Sequence, residues 1–210
     1  MIPQIIEVPS PLGLRPTGLE DAPEALRRAA LHQRLGSPDA VRIEVPPYDD
    51  VRDPETGILN PHGITAVARD AASAVAATLD AGRFPVLLGG DCSIVLGPLL
   101  ALRRRGRYRT LTTVAKPDLK GFWVHLDVDV LDDALMPAVD YRHPGGMTWR
   151  EATEILGGLL ASDRACGLEI TIFNPRLDPG GEIAQRLSDL ITDTVPRPAD
   201  DEGPDRLRHP

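Results

Sequence analysis

The sequence predicts an α/β fold in which a mostly parallel sheet lies between two layers of helices. Short apolar runs alternate with longer segments of helical spacing, which is typical of parallel strands joined by helical crossovers. Residues 84–88 are apolar without interruption, as in a strand buried on both faces. With 210 residues, 42% of them hydrophobic, the chain can build one core of ordinary size. We expect a single domain over residues 1–194 and a solvated or disordered tail over 195–210.

Five strands are predicted from apolar, β-branched segments that end at turn residues. They cover residues 2–8, 41–45, 84–88, 121–127 and 168–173. Pro9 and Pro11 close the first strand, and the glycine pair at 89–90 closes the third. The proline-rich segment 46–63 indicates a loop after the second strand, and residues 129–146 indicate another after the fourth.

Five helices are predicted from apolar residues at helical spacing between start and stop signals. They cover residues 21–35, 64–81, 93–105, 148–160 and 182–194. Pro23 lies in the first turn of the first helix, where a missing N–H group is tolerated, and Gly36 follows its end. Gly82 ends the second helix. Thr148 and Glu151 have the spacing of a capping box at the start of the fourth.

Composition and charge exclude several classes of partner. The formal net charge is −8 and the pI is about 5.1, whereas proteins that bind nucleic acids or anionic membranes are normally basic. No apolar run approaches the ~18 residues of a transmembrane helix, and the first residues lack the pattern of a signal peptide. Cys92 and Cys166 alone do not make a disulfide framework. We expect a cytoplasmic protein that binds neither nucleic acid nor membrane.

The first candidate for chemistry is the turn Gly89-Gly90-Asp91-Cys92-Ser93, which joins a buried strand to a helix. In a parallel sheet, ligands bind at the carboxyl ends of the strands. A thiol beside a helix N-terminus has a lowered pKa, and the same position suits a polar ligand. The alternative is that Asp91 or Ser93 only caps the helix.

The second candidate is the acidic pair Asp127 and Asp129 at the end of the fourth strand. Residues two apart in a strand point to the same side, so the two carboxylates would repel unless a cation lies between them. A hard divalent ion such as Mg²⁺ or Mn²⁺ suits that position. The alternative is loop capping and solvation. We place His125 on the opposite face, as a hydrogen-bonded core residue or a residue that supports the metal ligands, rather than as a ligand itself.

The third candidate segment, residues 167–175, is a strand that ends in a turn. Glu169 is its one acid, and we expect it to be half-buried, paired and structural. Cys166 at the strand start is predicted to be a small apolar residue. A further hypothesis makes Cys92 a nucleophile, with His143 or His125 as its base.

These segments together resemble the ureohydrolase family, which includes arginase, agmatinase and formimidoylglutamase. The residues from Asp127-Val-Asp129 through Asp133 and Pro137-Ala138 to Gly146 follow the spacing of that family's last metal motif. The turn at 89–93 is similar to its first metal motif, Gly-Gly-Asp-His-Ser. Segments 18–27 and 167–175 are similar to its N-terminal helix and its late strand. The resemblance covers residues 9–194.

The resemblance implies a three-layer α/β fold, two bridged Mn ions and a metal-generated hydroxide that attacks a guanidinium carbon. Asp127 and Asp129 match metal-ligand positions, Cys92 occupies a third, and Asp91 neighbours it. The resemblance also implies a small-molecule substrate and a homo-oligomer. We therefore predict a metal-dependent hydrolase of a C–N bond in a linear amidine or guanidino-type molecule.

The sequence departs from the family pattern at several positions. Cys92 replaces a metal-binding His, and Ile172 stands where a substrate-binding Glu belongs. His125 stands where Ser or Thr is usual, and Asp133 stands where Pro is usual. The central motif Asp-Ala-His-x-Asp is missing, so we expect a shortened fold that lacks a portion around 106–120. A soft thiolate favours Zn over Mn, and too few ligands favour no metal. The alternative function is a catalytically inactive, truncated relative that acts as a binding or oligomerisation module or has no function.

Overall fold

Six parallel strands form one sheet in the computed structural model, which describes residues 1–37, 39–106, 108–110 and 120–196. The strands are β1 (Pro3–Val8), β2 (Val41–Arg42), β3 (Phe84–Gly89), β4 (Tyr108–Thr110), β5 (Gly121–Asp127) and β6 (Ala165–Thr171). Their order is β2-β1-β3-β6-β5-β4, and each neighbouring pair is parallel. The predicted parallel sheet is confirmed. Most of the predicted break at 106–120, and the expected tail from 197 onward, lie outside the described residues.

Helices cover both faces of the sheet, which confirms the three-layer α/β class. The helices are α1 (Ala22–Arg28), α2 (Leu31–Arg34), α3 (Pro61–Asp80), α4 (Leu96–Arg103), α5 (Trp149–Leu160) and α6 (Glu182–Thr194). One apolar cluster joins the sheet to α1, α2, α5 and α6. A second cluster, on the other face, joins it to α3 and α4.

Several element boundaries differ from the sequence prediction. The first predicted helix is divided into α1 and α2, because Ala30 has a left-handed φ of 61°. The third predicted helix begins as a 3₁₀ turn over Cys92–Val95 before α4. The short strand β4 was not predicted, and β2 is shorter than 41–45. The capping box of Thr148 and Glu151 is present at the start of α5, as predicted.

A buried carboxylate ties β1 to three other elements. Glu7 is 1% exposed and contacts Arg27 of α1 at 2.5 Å, His32 of α2 at 3.0 Å and Arg42 of β2 at 2.9 Å. Burial alone would raise the pKa of Glu7, but hydrogen bonds from His32, Arg42 and Arg27 outweigh it and lower this pKa to about 2. The cluster therefore stabilises the fold in the ionised state of Glu7.

We predict that Glu7→Gln lowers the free energy of unfolding by about 2–3 kcal/mol at pH 7. This is less than the full pKa difference would give, because solvent weakens the ion pairs of Glu7 with the exposed Arg27 and Arg42. The pKa of Glu7 is about 2 in the folded chain and 4.5 in the unfolded one, so its contribution is complete above pH 4.5. The difference between wild type and variant should therefore shrink as pH falls from 4.5 towards 2. Urea unfolding at several pH values measures it. Exposed Glu44→Gln is the control, and a pH-independent difference contradicts the prediction.

Candidate metal site

The strand order brings three chain segments to one edge of the sheet. β6 lies between β3 and β5, although it follows both in sequence. The register pairs Leu88 with Ile170 and Asp127 with Thr171, so β3, β6 and β5 end close together. The turn after β3 and the turn after β5 therefore meet over the end of β6.

Asp91 fixes the turn that follows β3. Its carboxylate accepts hydrogen bonds from the backbone N–H groups of Ser93 at 2.7 Å and Gly13 at 2.9 Å. The side chain is buried, which raises its pKa against the effect of these hydrogen bonds. This is the capping role that the sequence left open, and it also anchors the loop after β1. Asp91 thus positions its neighbour Cys92.

Cys92 and Asp127 are in direct contact. The Cys92 thiol donates to Asp127 Oδ2 at 3.0 Å, and its Sγ lies 3.7 Å from Thr171 Oγ1. Burial and the Asp127 carboxylate both raise the pKa of Cys92 well above its usual range. A free thiolate is therefore unfavourable here without a cation, which weakens the hypothesis of a metal-free nucleophile.

His125 lies on the same face of the sheet as Asp127, so its placement on the opposite face was wrong. The two residues are two positions apart in β5, and the period of a strand is two. Phe122, Val124 and Leu126 fill the alternate positions and face the α5–α6 core. Ligand atoms of His125, Asp127 and Cys92 lie within 4.8 Å of one another, which is a spacing that could hold a metal ion.

Glu169 holds the ring of His125 from the neighbouring strand. The two residues are partners in the β5–β6 register, and Nδ1 of His125 lies 2.5 Å from Glu169 Oε1. Glu169 is 0% exposed rather than half-buried, and its Oε2 has no hydrogen-bond partner among the described residues. Burial raises the pKa of Glu169, and the contact with Glu169 raises that of His125 against burial. Both shifts favour a proton held between them.

Asp129 stands beside Asp127 through a turn rather than through strand periodicity. β5 ends at Asp127, and Asp129 lies in the 3₁₀ turn Val128–Val130. Its backbone N–H donates to Asp127 Oδ1 at 3.2 Å. Burial and the Asp127 carboxylate raise the pKa of Asp129 to about 6. The acidic pair therefore does lie together, although Asp129 is not one of the three clustered donors.

Ile172 follows β6 with its side chain in the apolar core. It is 5% exposed and belongs to the cluster that contacts α5 and α6. Its φ is +70°, which is an outlier for a β-branched residue, and its N–H donates to Gly90 O at 2.8 Å. The side chain is therefore not placed to neutralise a cationic substrate.

The sequence pattern suggested His125 as a base for Cys92 but not as a metal ligand, and it gave Glu169 no part in the site. The spacing of two between His125 and Asp127 was a signal that could have identified the histidine. No sequence signal pairs Glu169 with His125, because 44 residues separate them and only the strand order makes them neighbours.

In the part of the chain that the structure describes, no helix is long and apolar enough to cross a membrane.

The fold is shared with solved arginases. The arginase from Bacillus caldovelox superposes with a TM-score of 0.76 at 19% identity, covering 94% of this chain and 99% of that one. At this identity the similarity shows the fold alone.

Two curated relatives match parts of the sequence. The arginase of Agrobacterium fabrum is 44% identical over 69 residues, which are 33% of this chain and 21% of that protein. The arginase of Staphylococcus aureus is 31% identical over 107 residues, which are 48% of this chain and 35% of that protein. The matched segments thus span well under two thirds of these relatives.

The model of the arginase family matches this sequence in two pieces, residues 4–111 and 104–195. The two matches overlap at residues 104–111, close to the break predicted around 106–120, and together they cover most of the chain. The chain therefore belongs to the arginase family.

Proposed function

We propose that this chain is a metal-dependent hydrolase of a C–N bond in a small linear amidine or guanidino-type molecule. The observation that carries the proposal is the convergence of Cys92, His125 and Asp127 at the carboxyl edge of the sheet. Membership of the arginase family supports the hydrolase class. The net charge of −8 supports a small-molecule substrate over a nucleic acid.

The residues of the site have separate tasks in this proposal. A divalent ion, when bound, supplies a Lewis acid and lowers the pKa of a coordinated water. Cys92, His125 and Asp127 would hold the ion, and Glu169 engages Nδ1 of His125, which leaves Nε2 free to be the ligand atom. The carboxylate of Asp129 lies beside Asp127 and is available to accept a proton.

The two manganese ions that the family resemblance implies do not fit these donors. Two such ions need about ten ligand positions, filled mainly by oxygen and imidazole. The described residues bring together one thiol, one imidazole and the carboxylates of Asp127 and Asp129. Asp91 is already engaged by two backbone N–H groups. A manganese pair is therefore no part of the proposed mechanism.

Ile172 favours a second candidate, a non-catalytic relative that acts as a binding or oligomerisation module. A guanidinium group needs an anionic or hydrogen-bonding partner in a binding pocket, and the Ile172 side chain lies in the apolar core instead. A family member that binds metal but lacks this substrate contact would keep the fold without turnover. Such a module would self-associate, as the family resemblance implies.

Turnover separates the two candidates. The full chain is loaded with Zn²⁺ or Mn²⁺ and supplied with a panel of linear amidines, arginine and agmatine, and released ammonia and urea are measured. We expect release only from the metal-loaded chain. Asp127→Asn should reduce this release by more than about 100-fold, because mutation of a residue that only supports a metal ligand typically costs about 10–100-fold.

Asp133→Asn is the matched control for Asp127→Asn. Asp133 lies in the loop after β5, and its carboxylate is 3.8 Å from Arg142 rather than in the metal cluster. We expect this variant to keep wild-type turnover. A folded, metal-loaded chain with no turnover on the whole panel contradicts the hydrolase proposal and leaves the non-catalytic module.

We predict that Ile172→Glu does not create turnover of arginine or agmatine. Because residue 172 lies in the apolar core, the new carboxylate would be buried without a partner, and we expect the free energy of unfolding to fall by about 2–4 kcal/mol. Thermal unfolding and urea release measure the two effects. Ile172→Val is the control, and new guanidine hydrolysis by Ile172→Glu would show that this side chain does reach the substrate.

A further inference from the structure

Two departures from the ureohydrolase pattern meet at one point of the structure. Against the pattern that the resemblance implies, Cys92 stands in place of a histidine in the turn after β3, and His125 stands in place of a Ser or Thr in β5. The two residues are 33 positions apart in sequence, yet their ligand atoms and one of Asp127 lie within 4.8 Å of one another. The site thus brings an imidazole from position 125 beside the thiol at position 92.

We infer that Cys92, His125 and Asp127 bind a single zinc ion in place of a manganese pair. Thiolate, imidazole and carboxylate are the ligands that Zn²⁺ takes, and three protein ligands with one open position are typical of catalytic zinc sites. Cys92 Sγ and Asp127 Oδ2 are already 3.0 Å apart. Manganese prefers oxygen and imidazole to sulfur, so the thiol selects against it.

Glu169 is the positioning residue of this zinc site. It contacts Nδ1 of His125 at 2.5 Å and leaves Nε2 as the ligand atom. Its carboxylate is 0% exposed in the middle of β6, where a charge is unfavourable unless it is paired. Carboxylate–histidine pairs of this kind orient the imidazole ligands of zinc in proteins.

Other carboxylate oxygens near the site already accept backbone hydrogen bonds. Asp91 accepts two backbone hydrogen bonds, and the second oxygen of Asp127 accepts one from the N–H of Asp129. Within the described residues, one cluster of three donors has metal-ligand spacing. That cluster has the ligand number of one ion, so we assign one zinc per chain.

This inference rests on the metal position of the proposed function, but its test needs no turnover. The full chain is stripped with a chelator and titrated with Zn²⁺, Mn²⁺ and Co²⁺, and bound metal is measured by elemental analysis. We expect one Zn²⁺ per chain, bound more tightly than Mn²⁺. Co²⁺ should give a sulfur-to-metal charge-transfer band in the near ultraviolet and an intense visible band typical of four-coordination.

The second cysteine supplies a matched control. Cys92→Ser should remove the charge-transfer band, whereas Cys166→Ser should keep it, because Cys166 lies at the start of β6 against the Arg164 carbonyl. In the wild-type chain, Zn²⁺ should protect Cys92 from alkylation and leave the reactivity of Cys166 unchanged, as mapped by mass spectrometry. This second measurement needs no variant, so it remains decisive even where Cys92→Ser fails to fold.

Glu169→Gln tests the positioning role. We expect it to weaken Zn²⁺ binding by about 10–100-fold while the charge-transfer band of the Co²⁺ form persists, and Glu169→Asp to recover part of the affinity. If Glu169 were only structural, Glu169→Gln would change the melting temperature of the metal-free chain and leave the Zn²⁺ affinity of the folded chain unaltered.

Three outcomes overturn the single-zinc inference. They are two Mn²⁺ per chain without a sulfur band, metal binding that Cys92→Ser leaves unchanged, and no binding above that of Asp127→Asn. Turnover with two Mn²⁺ would uphold the hydrolase and overturn the zinc assignment. One bound Zn²⁺ without turnover would uphold the zinc assignment and contradict the hydrolase proposal.

Discussion

The register between β5 and β6 is the constraint on which the site depends. It sets His125 opposite Glu169 and Asp127 opposite Thr171. A shift of one residue would turn these side chains to the other face of the sheet and place apolar residues at the site. The buried carboxylate of Glu169 needs a partner, and His125 is that partner. One interaction therefore satisfies a buried charge and orients an imidazole.

The two faces of β5 differ, because one packs into the apolar core and the other carries the candidate ligands His125 and Asp127. Phe122, Val124 and Leu126 pack against the helices of one layer, as in any buried parallel strand. On the other face only Trp123 joins the apolar cluster, while His125 and Asp127 are partly exposed at the carboxyl end. The apolar side chains of β5 thus fix the position of His125 and Asp127 at the candidate site.

The chain keeps the arginase fold but changes the side chains at its carboxyl edge. The sheet and its covering helices superpose on those of a bacterial arginase. In this chain the ends of β3, β5 and β6 carry Cys92, His125 and Ile172. Fold similarity by itself identifies neither the ion nor the substrate, because both depend on the side chains that the fold carries.

The sequence by itself determined the alternation of strands and helices, the parallel sheet, the capping box of α5 and the polar residues at the ends of β3 and β5. These features depend on residues close together in the chain, and local pattern encodes them. Only the tertiary structure decided that Glu169 supports His125 and that Cys92 contacts Asp127. The reason is the strand order, which inserts the last strand, β6, between β3 and β5 and brings distant segments into contact.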